Sequence, residues 1–473
     1  MRLFSLYLFI LLIMLVVLFS CNKNNNKNED DGESSGIKVM ASLAYEDMNK
    51  DFVLSGRKGA YTFLAKGDLN NDQKDDIVFG HFALDGDGHV NISSKLAFFI
   101  NSETHFAVNT NIFETIPQRV MPRYGLIGDY NGDGKNDLFV ACYGWDSGEG
   151  LGEQNILMLS NSNNILIDVS TINLPVQNDN SHGAGHADID KDGDLDIFLV
   201  NQYGGGTIDS YFLINDGSGN FTMDNSTSRI SPNLIKHYGV TSGHNATYVY
   251  AEFYDINLDN SPDLILSAHP PKGTTSNFTG LYHSRYILND GNGNYYDNNT
   301  TEFSEGIFGK DTINYGIWPF DINADNYIDF VIAQSRLVPG SSHRGIYLQA
   351  QLNQGNNTFV DLTSSWIPDQ EHYASKDFSF PNRIFFEDID EDSDKDIIVS
   401  SYGSTSLSGE SQPYLIHKND GNGKMKGFKG KVIYKGYGWV DTMIPGNFHG
   451  DEKIEILAIK PGNNSYDLIM YTQ

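Results

Sequence analysis

The stretch that decides the fold is DIDKDGDLDIFLV, Asp188 to Val200. Its carboxylates Asp188, Asp190, Asp192 and Asp196 fall within nine residues, and an apolar run follows at once. Carboxylates this dense repel one another unless a cation sits among them. Hard cations such as calcium take about six to eight oxygens from flexible, Asp-rich loops. The stretch is also not alone, and internal repetition is the first thing to establish in such a chain.

The acidic loop recurs about every 63 residues, starting at Asp68, Asp129, Asp188, Asp255, Asp321, Asp388 and, in degraded form, Asn447. Oxygen-bearing side chains hold the first, third, fifth and ninth positions of the six intact copies. These candidate ligands are Asp68, Asn70, Asp72 and Asp76; Asp129, Asn131, Asp133 and Asp137; Asp188, Asp190, Asp192 and Asp196. The later copies supply Asp255, Asn257, Asp259 and Asp263; Asp321, Asn323, Asp325 and Asp329; Asp388, Asp390, Asp392 and Asp396. The seventh position varies freely, as expected if only its backbone carbonyl is used. The degraded copy offers Asn447, His449, Asp451 and Glu455, so weak or absent binding is expected there. An EF-hand is excluded, because Val140 and Leu199 stand where its twelfth-position Glu belongs.

Each loop runs into a short apolar segment such as LFVACY or IFLVNQY, consistent with a buried strand. A second hairpin follows, for example YFLINDGSGNF and RYILNDGNGNY, where Asp-Gly marks a tight turn. Each unit therefore reads as strand A, acidic loop, strand B, long loop, strand C, Gly-rich turn, strand D. Seven such units predict an all-β, seven-bladed β-propeller of four-stranded blades. In its DxDxDxxxD loops and LNDGxGxF turns the chain resembles the FG-GAP/VCBS repeat family, whose blades are like those of the integrin α-subunit head. The resemblance covers roughly residues 37–473 and implies calcium in the A–B loops, with about six structural ions. The last unit lacks a strand D before the chain ends, so Ile37 to Tyr45 is expected to complete it as an outer strand.

Composition fits this reading. The 473 residues carry a formal charge of −29, which argues against nucleic acid and suits a protein that holds cations. The 26 Tyr and 28 Phe favour β-structure over helix. Residues 1–20 read as a targeting segment, with Arg2 ahead of an apolar run from Leu3 to Phe19. Leu18-Phe19-Ser20-Cys21 resembles the lipobox of bacterial lipoproteins, which implies lipidation at Cys21. Phe19 departs from the usual small residue, and a signal-anchor helix is the alternative. Residues 21–36 form a polar tether too poor in apolar side chains to fold. The resemblance to a lipobox implies that residues 37–473 sit at a bacterial outer membrane, facing the periplasm or the cell surface, and a monomer is the expected state. Cys142 is the only other cysteine, so no disulfide framework exists.

The loops opposite the acidic ones are long, irregular and aromatic. Tyr143, Trp145, Tyr203, Arg336 and Tyr402 are candidate ligand-binding residues there, and exposed aromatic planes suit sugar rings. Binding of a glycan or a protein partner is the first functional reading. The second is a carbohydrate-active enzyme such as a propeller polysaccharide lyase, with His182, His244 and Tyr203 as candidate catalytic groups and Tyr238 and Arg336 nearby. Against it, nothing in the sequence has nucleophile–base spacing.

Overall fold

The computed structural model describes residues 36–44, 60–84, 90–102, 105–108, 112–145, 151–201, 209–235, 247–269, 284–304, 306–309, 312–338, 341–355, 358–367, 379–403, 415–419, 426–427, 443–449, 453–461 and 465–472. Among them, seven antiparallel sheets of four or five strands succeed one another along the chain, with one further two-stranded ribbon. The sheet around Asp188 shows the plan: strand A Ser181–Ala187, strand B Asp196–Asn201, strand C Tyr211–Asn215 and strand D Phe221–Asp224. Strand B is buried along its whole length, which is why its sequence is continuously apolar rather than alternating. Burial then falls off outward, and strand D keeps only Phe221 inside.

The ends of the chain meet as the strand count requires. The last sheet runs Gly36–Ala44, Ser465–Thr472, Glu455–Pro461, Met443–Gly446, so the first strand supplies the missing outer edge. Met40 lies buried beside Leu468 and Met470. Hydrophobic clusters fill the spaces between consecutive sheets, and the one holding Leu64 and Phe79 of the first sheet also holds Leu457 and Ile459 of the seventh. Each sheet packs on its successor, and strand A of the first, Ala60–Gly67, meets strand A of the seventh. This is a β-propeller type of arrangement.

One side chain repeats as a stitch between sheets. The Asn that opens the Asn-Asp-Gly turn donates its amide to the carbonyl of the second loop residue in the preceding sheet. Asn215 reaches Tyr130 O at 2.8 Å and Asn289 reaches Ile189 O at 2.9 Å. Asn101 of the first sheet makes the same bond at 3.0 Å to Phe448 O of the seventh.

A second repeated device sits in strand A. Its pairing with strand B skips one residue six positions before the acidic loop: Thr62, Arg123, His182, Val249, Tyr315 and Asn382. Such bulges bend a strand and re-aim its side chains. Helices among the described residues are single turns, and none is long and apolar enough to cross a membrane.

Candidate metal centres

The six intact loops share one backbone path. Their fourth and sixth residues are left-handed in every copy, and only the second loop has Gly at both, Gly132 and Gly134. Elsewhere Leu258 at φ 61°, Ala324 at φ 57° and Glu391 at φ 62° accept a conformation that costs a side chain about 1 kcal/mol. This path turns successive N–H groups inward. In five of the loops the first-position carboxylate accepts two or more of them, as when Asp68 takes Asp72 N at 3.0 Å and Gln73 N at 2.7 Å, whereas Asp188 takes Gly193 N at 3.2 Å. The fifth-position carboxylate accepts the seventh N–H, as from Lys135 to Asp133 at 3.0 Å.

The ninth-position carboxylate does more than face a cation. It is buried in all six copies. Asp76 accepts Leu69 N at 3.0 Å with one oxygen and Asn101 N at 2.8 Å with the other, joining the loop to strand C. Asp137, Asp263, Asp329 and Asp396 repeat the pattern. Burial, the main cause, pushes the carboxyls of Asp76, Asp196, Asp263 and Asp329 up to about 7 and that of Asp137 up to about 6.

The copies differ in how much negative charge is left without a partner. In the loops at Asp255 and Asp321 the third residue is an amide. Asn257 and Asn323 each donate to the fifth-position carboxylate at 2.9 Å. In the loops at Asp188 and Asp388 the third residue is Asp instead. Oxygens of Asp188, Asp190 and Asp192 lie within 4.8 Å of one another, as do those of Asp388, Asp390 and Asp392. Asp188 Oδ1, Asp190 Oδ1, Asp194 Oδ1 and Asp196 Oδ2 are buried without a hydrogen-bond partner, and so are Asp390 Oδ1 and Asp394 Oδ1. Buried carboxylate oxygens in that state are satisfied by a cation or by protonation. The donor set, all oxygen, suits calcium. Asp194 and Asp394 rise to about 6, through burial first and then the neighbouring aspartates. In the degraded copy Glu455 accepts Phe448 N at 2.8 Å, and its other oxygen pairs with His449 at 2.9 Å.

Residues 129–199, from the second acidic loop through the third, match the FG-GAP-like repeat family. A search of curated proteins found no match. Among solved structures, a lectin from Agrocybe aegerita that recognises non-reducing terminal N-acetylglucosamine is similar at 15% identity, over 77% of this chain and 81% of that one, with a TM-score of 0.43. An ancestral GH74 enzyme is similar at 10% identity over 88% of this chain and 50% of that one, with a TM-score of 0.33. An exotype rhamnogalacturonan lyase is similar at 13% identity over 87% and 60%, with a TM-score of 0.33. The chain therefore spans only part of the latter two.

The sheets also bring together residues that no motif announces. The residue just after the strand A bulge is Tyr124, Tyr250 or Arg383 in three of the sheets, and two residues further on stand Glu252 and Trp318. Tyr124 donates its hydroxyl to Glu252 Oε1 at 3.0 Å. Arg383 donates to the Tyr124 oxygen and to Leu64 O, both at 2.9 Å, and its guanidinium lies 5.0 Å from the Tyr124 ring centroid. Four of the sheets thus meet around one cavity of about 10 Å³, the room of a single water. Burial raises the Glu252 carboxyl, with Arg383 opposing the rise.

The residues proposed for catalysis and ligand binding fall in varied settings. His182 is the bulged residue of its strand. It is buried, bonds Val249 O at 3.0 Å and lies edge-on between Tyr143 and Tyr250. Tyr143 is buried beneath Arg123, whereas Trp145 is 38% exposed. Arg336 is exposed and lies over the Phe308 ring at 5.6 Å. Tyr402 pairs with Phe380 through its backbone. Cys21, Tyr203, Tyr238 and His244 lie outside the described residues. Cys142 is buried in strand B of its sheet, and burial pushes its thiol up.

Proposed function

We propose that the chain is a lipid-anchored, seven-bladed propeller clamped by about six calcium ions, and that it binds a glycan on the face opposite the acidic loops. Cys21 would carry the anchor at a bacterial outer membrane, and residues 22–36 would hold the propeller away from it. The calcium role is supported by the partnerless buried oxygens of the Asp188 loop. The ion is structural in this reading, because it would fix the A–B turn of each sheet.

The observation that carries the binding role is Trp145. It follows strand B at the end of the sheet away from the acidic loop, its side chain is exposed, and its backbone is tied to its neighbours. The Trp145 backbone N–H donates to Leu151 O at 2.9 Å, and the Tyr143 backbone N–H donates to Met121 O at 2.9 Å. A flat aromatic surface on a fixed backbone meets a sugar ring with little loss of side-chain freedom. A glycan array on the purified chain tests this. Retention of one glycan class by the parent and its loss in Trp145→Ala is the expected result. Binding that Trp145→Ala leaves untouched would reject the site, and capture of proteins alone would replace glycan by protein as the ligand. Turnover of an acidic polysaccharide, seen as the ultraviolet absorbance of an unsaturated product, would instead establish the lyase alternative.

A further inference from the structure

We propose that the Asp188–Asp196 loop is a cation site of a different class from its siblings, with the Asp194 carboxylate as an additional ligand and Arg229 as a resident counter-ion. This inference rests on the cation reading of the acidic loops. Its own basis is the inventory of oxygens without partners. Four of the five carboxylates in this loop keep a buried, partnerless oxygen, whereas the Asp68 loop has only Asn70 Oδ1 in that state. Asp196 is 1% exposed, and its Oδ2 is among the four. In the other five loops the corresponding oxygen accepts the second residue's N–H. Here it stays available to the interior of the loop. The seventh position, Lys74 or Lys135 in the first two copies, is Asp194 in this one, and only the sixth copy, with Asp394, also places a carboxylate there.

Arg229 accounts for how so many carboxylates coexist. Its guanidinium is 15% exposed and lies 3.4 Å from Asp190 Oδ2. It is fixed there from two sides, by Asp224 at 3.0 Å and by Gly293 O of the next sheet at 3.2 Å. The arginine balances part of the loop's charge when no ion is bound. It opposes the ion when one arrives, because a fixed positive charge beside a ligand carboxylate raises the energy of a second cation. The loop therefore combines the largest donor set in the chain with a built-in competitor. The Asp388 loop, with Asp394 and Lys418 at 2.7 Å from Asp390, is the nearest approach to this design. Its Asp396 has both oxygens occupied.

Calorimetric titration of the metal-free full-length chain with calcium tests the proposal. The expected isotherm resolves one site tighter than the rest by about tenfold or more, since affinity in such loops follows ligand charge. Asp194→Asn should weaken that site by about tenfold and leave the others alone. Arg229→Gln should tighten it, a change in the direction opposite to that of a merely damaged fold. A single class of sites, or a tight site indifferent to Asp194→Asn, overturns the inference while leaving calcium binding intact. Weakening by Arg229→Gln removes the counter-ion role. Absence of any calcium uptake rejects both this inference and the cation reading beneath it.

Discussion

The acidic loops repeat one design six times, whereas the cluster where the A strands converge is built once. Both lie on the same strands, a few residues apart. In the loops every copy needs the same thing, a backbone turn with its N–H groups pointing at carboxylates, and so every copy carries nearly the same residues. In the cluster the sheets face one another across a shared centre, so identical residues would collide or repel. Tyr124, Glu252 and Arg383 therefore divide the work: one hydroxyl between one anion and one cation. Gly316 leaves the space that the Trp318 ring occupies. Repetition serves contacts made within a repeat or with the next one. Contacts that cross the centre break it.

The comparison can be tested from either side. The largest expected effect is at the cluster. Arg383→Ala leaves the Glu252 carboxylate buried without its cation and should destabilise the fold by about 3 kcal/mol in chemical denaturation. Tyr124→Phe should cost less, about 1 to 2 kcal/mol, because it removes one hydroxyl from between the two. If both variants unfold like the parent, the centre is not a brace.

Next come the loops. Chelation should lower the melting temperature. Asp190→Ala should lower that of the calcium-loaded chain clearly more than His449→Ala, by the equivalent of about 1 kcal/mol or more. Equal effects would mean that the degraded copy is as competent as the others.

The pH dependence of the metal-free chain follows from the ninth-position carboxyls. Those of Asp76, Asp196, Asp263 and Asp329 are raised by burial from 3.8 to about 7. In the window between those values the native state binds more protons than the unfolded one, so stability falls as pH rises through it. Calcium needs the ionised form, so its stabilising effect should grow over the same window. A metal-free chain whose melting temperature rises from pH 4 to pH 7 would contradict this burial.

The smallest effects are single-residue adjustments. Leu258→Gly relieves a left-handed side chain and should stabilise by about 0.5 kcal/mol, while Gly132→Ala should do the reverse. Trp145→Ala should leave stability within about 0.5 kcal/mol of the parent, because an exposed indole supports little of the core. Its effect belongs to binding.

Much of this was legible in advance for a simple reason. A period of about 63 residues shows itself whenever each repeat meets the same local demand, and the acidic loop, strand B and the Asn-Asp-Gly turn all do. The outer strand Gly36–Ala44 was found by counting, because the last unit was one strand short. Other features gave weaker signals. Asp194 stands at a position that varies freely from copy to copy. Only the five alternating aspartates of DIDKDGDLD, shared with DIDEDSDKD, set it apart. His182 looked like a catalytic candidate, yet a bulge turns it onto a carbonyl between two tyrosines.

By itself the sequence determined the repeating unit, the acidic turns, the buried B strands and the need for the chain's ends to pair. Each of these is set by contacts within a repeat or by strand count. Only the tertiary structure decided which oxygens are left without partners, which arginine stands beside Asp190, and that Tyr124, Glu252 and Arg383 meet. Those residues are more than a hundred positions apart, and what brings them together is the order in which seven sheets pack. No local pattern encodes that order. It follows from the sum of the interfaces between neighbouring sheets.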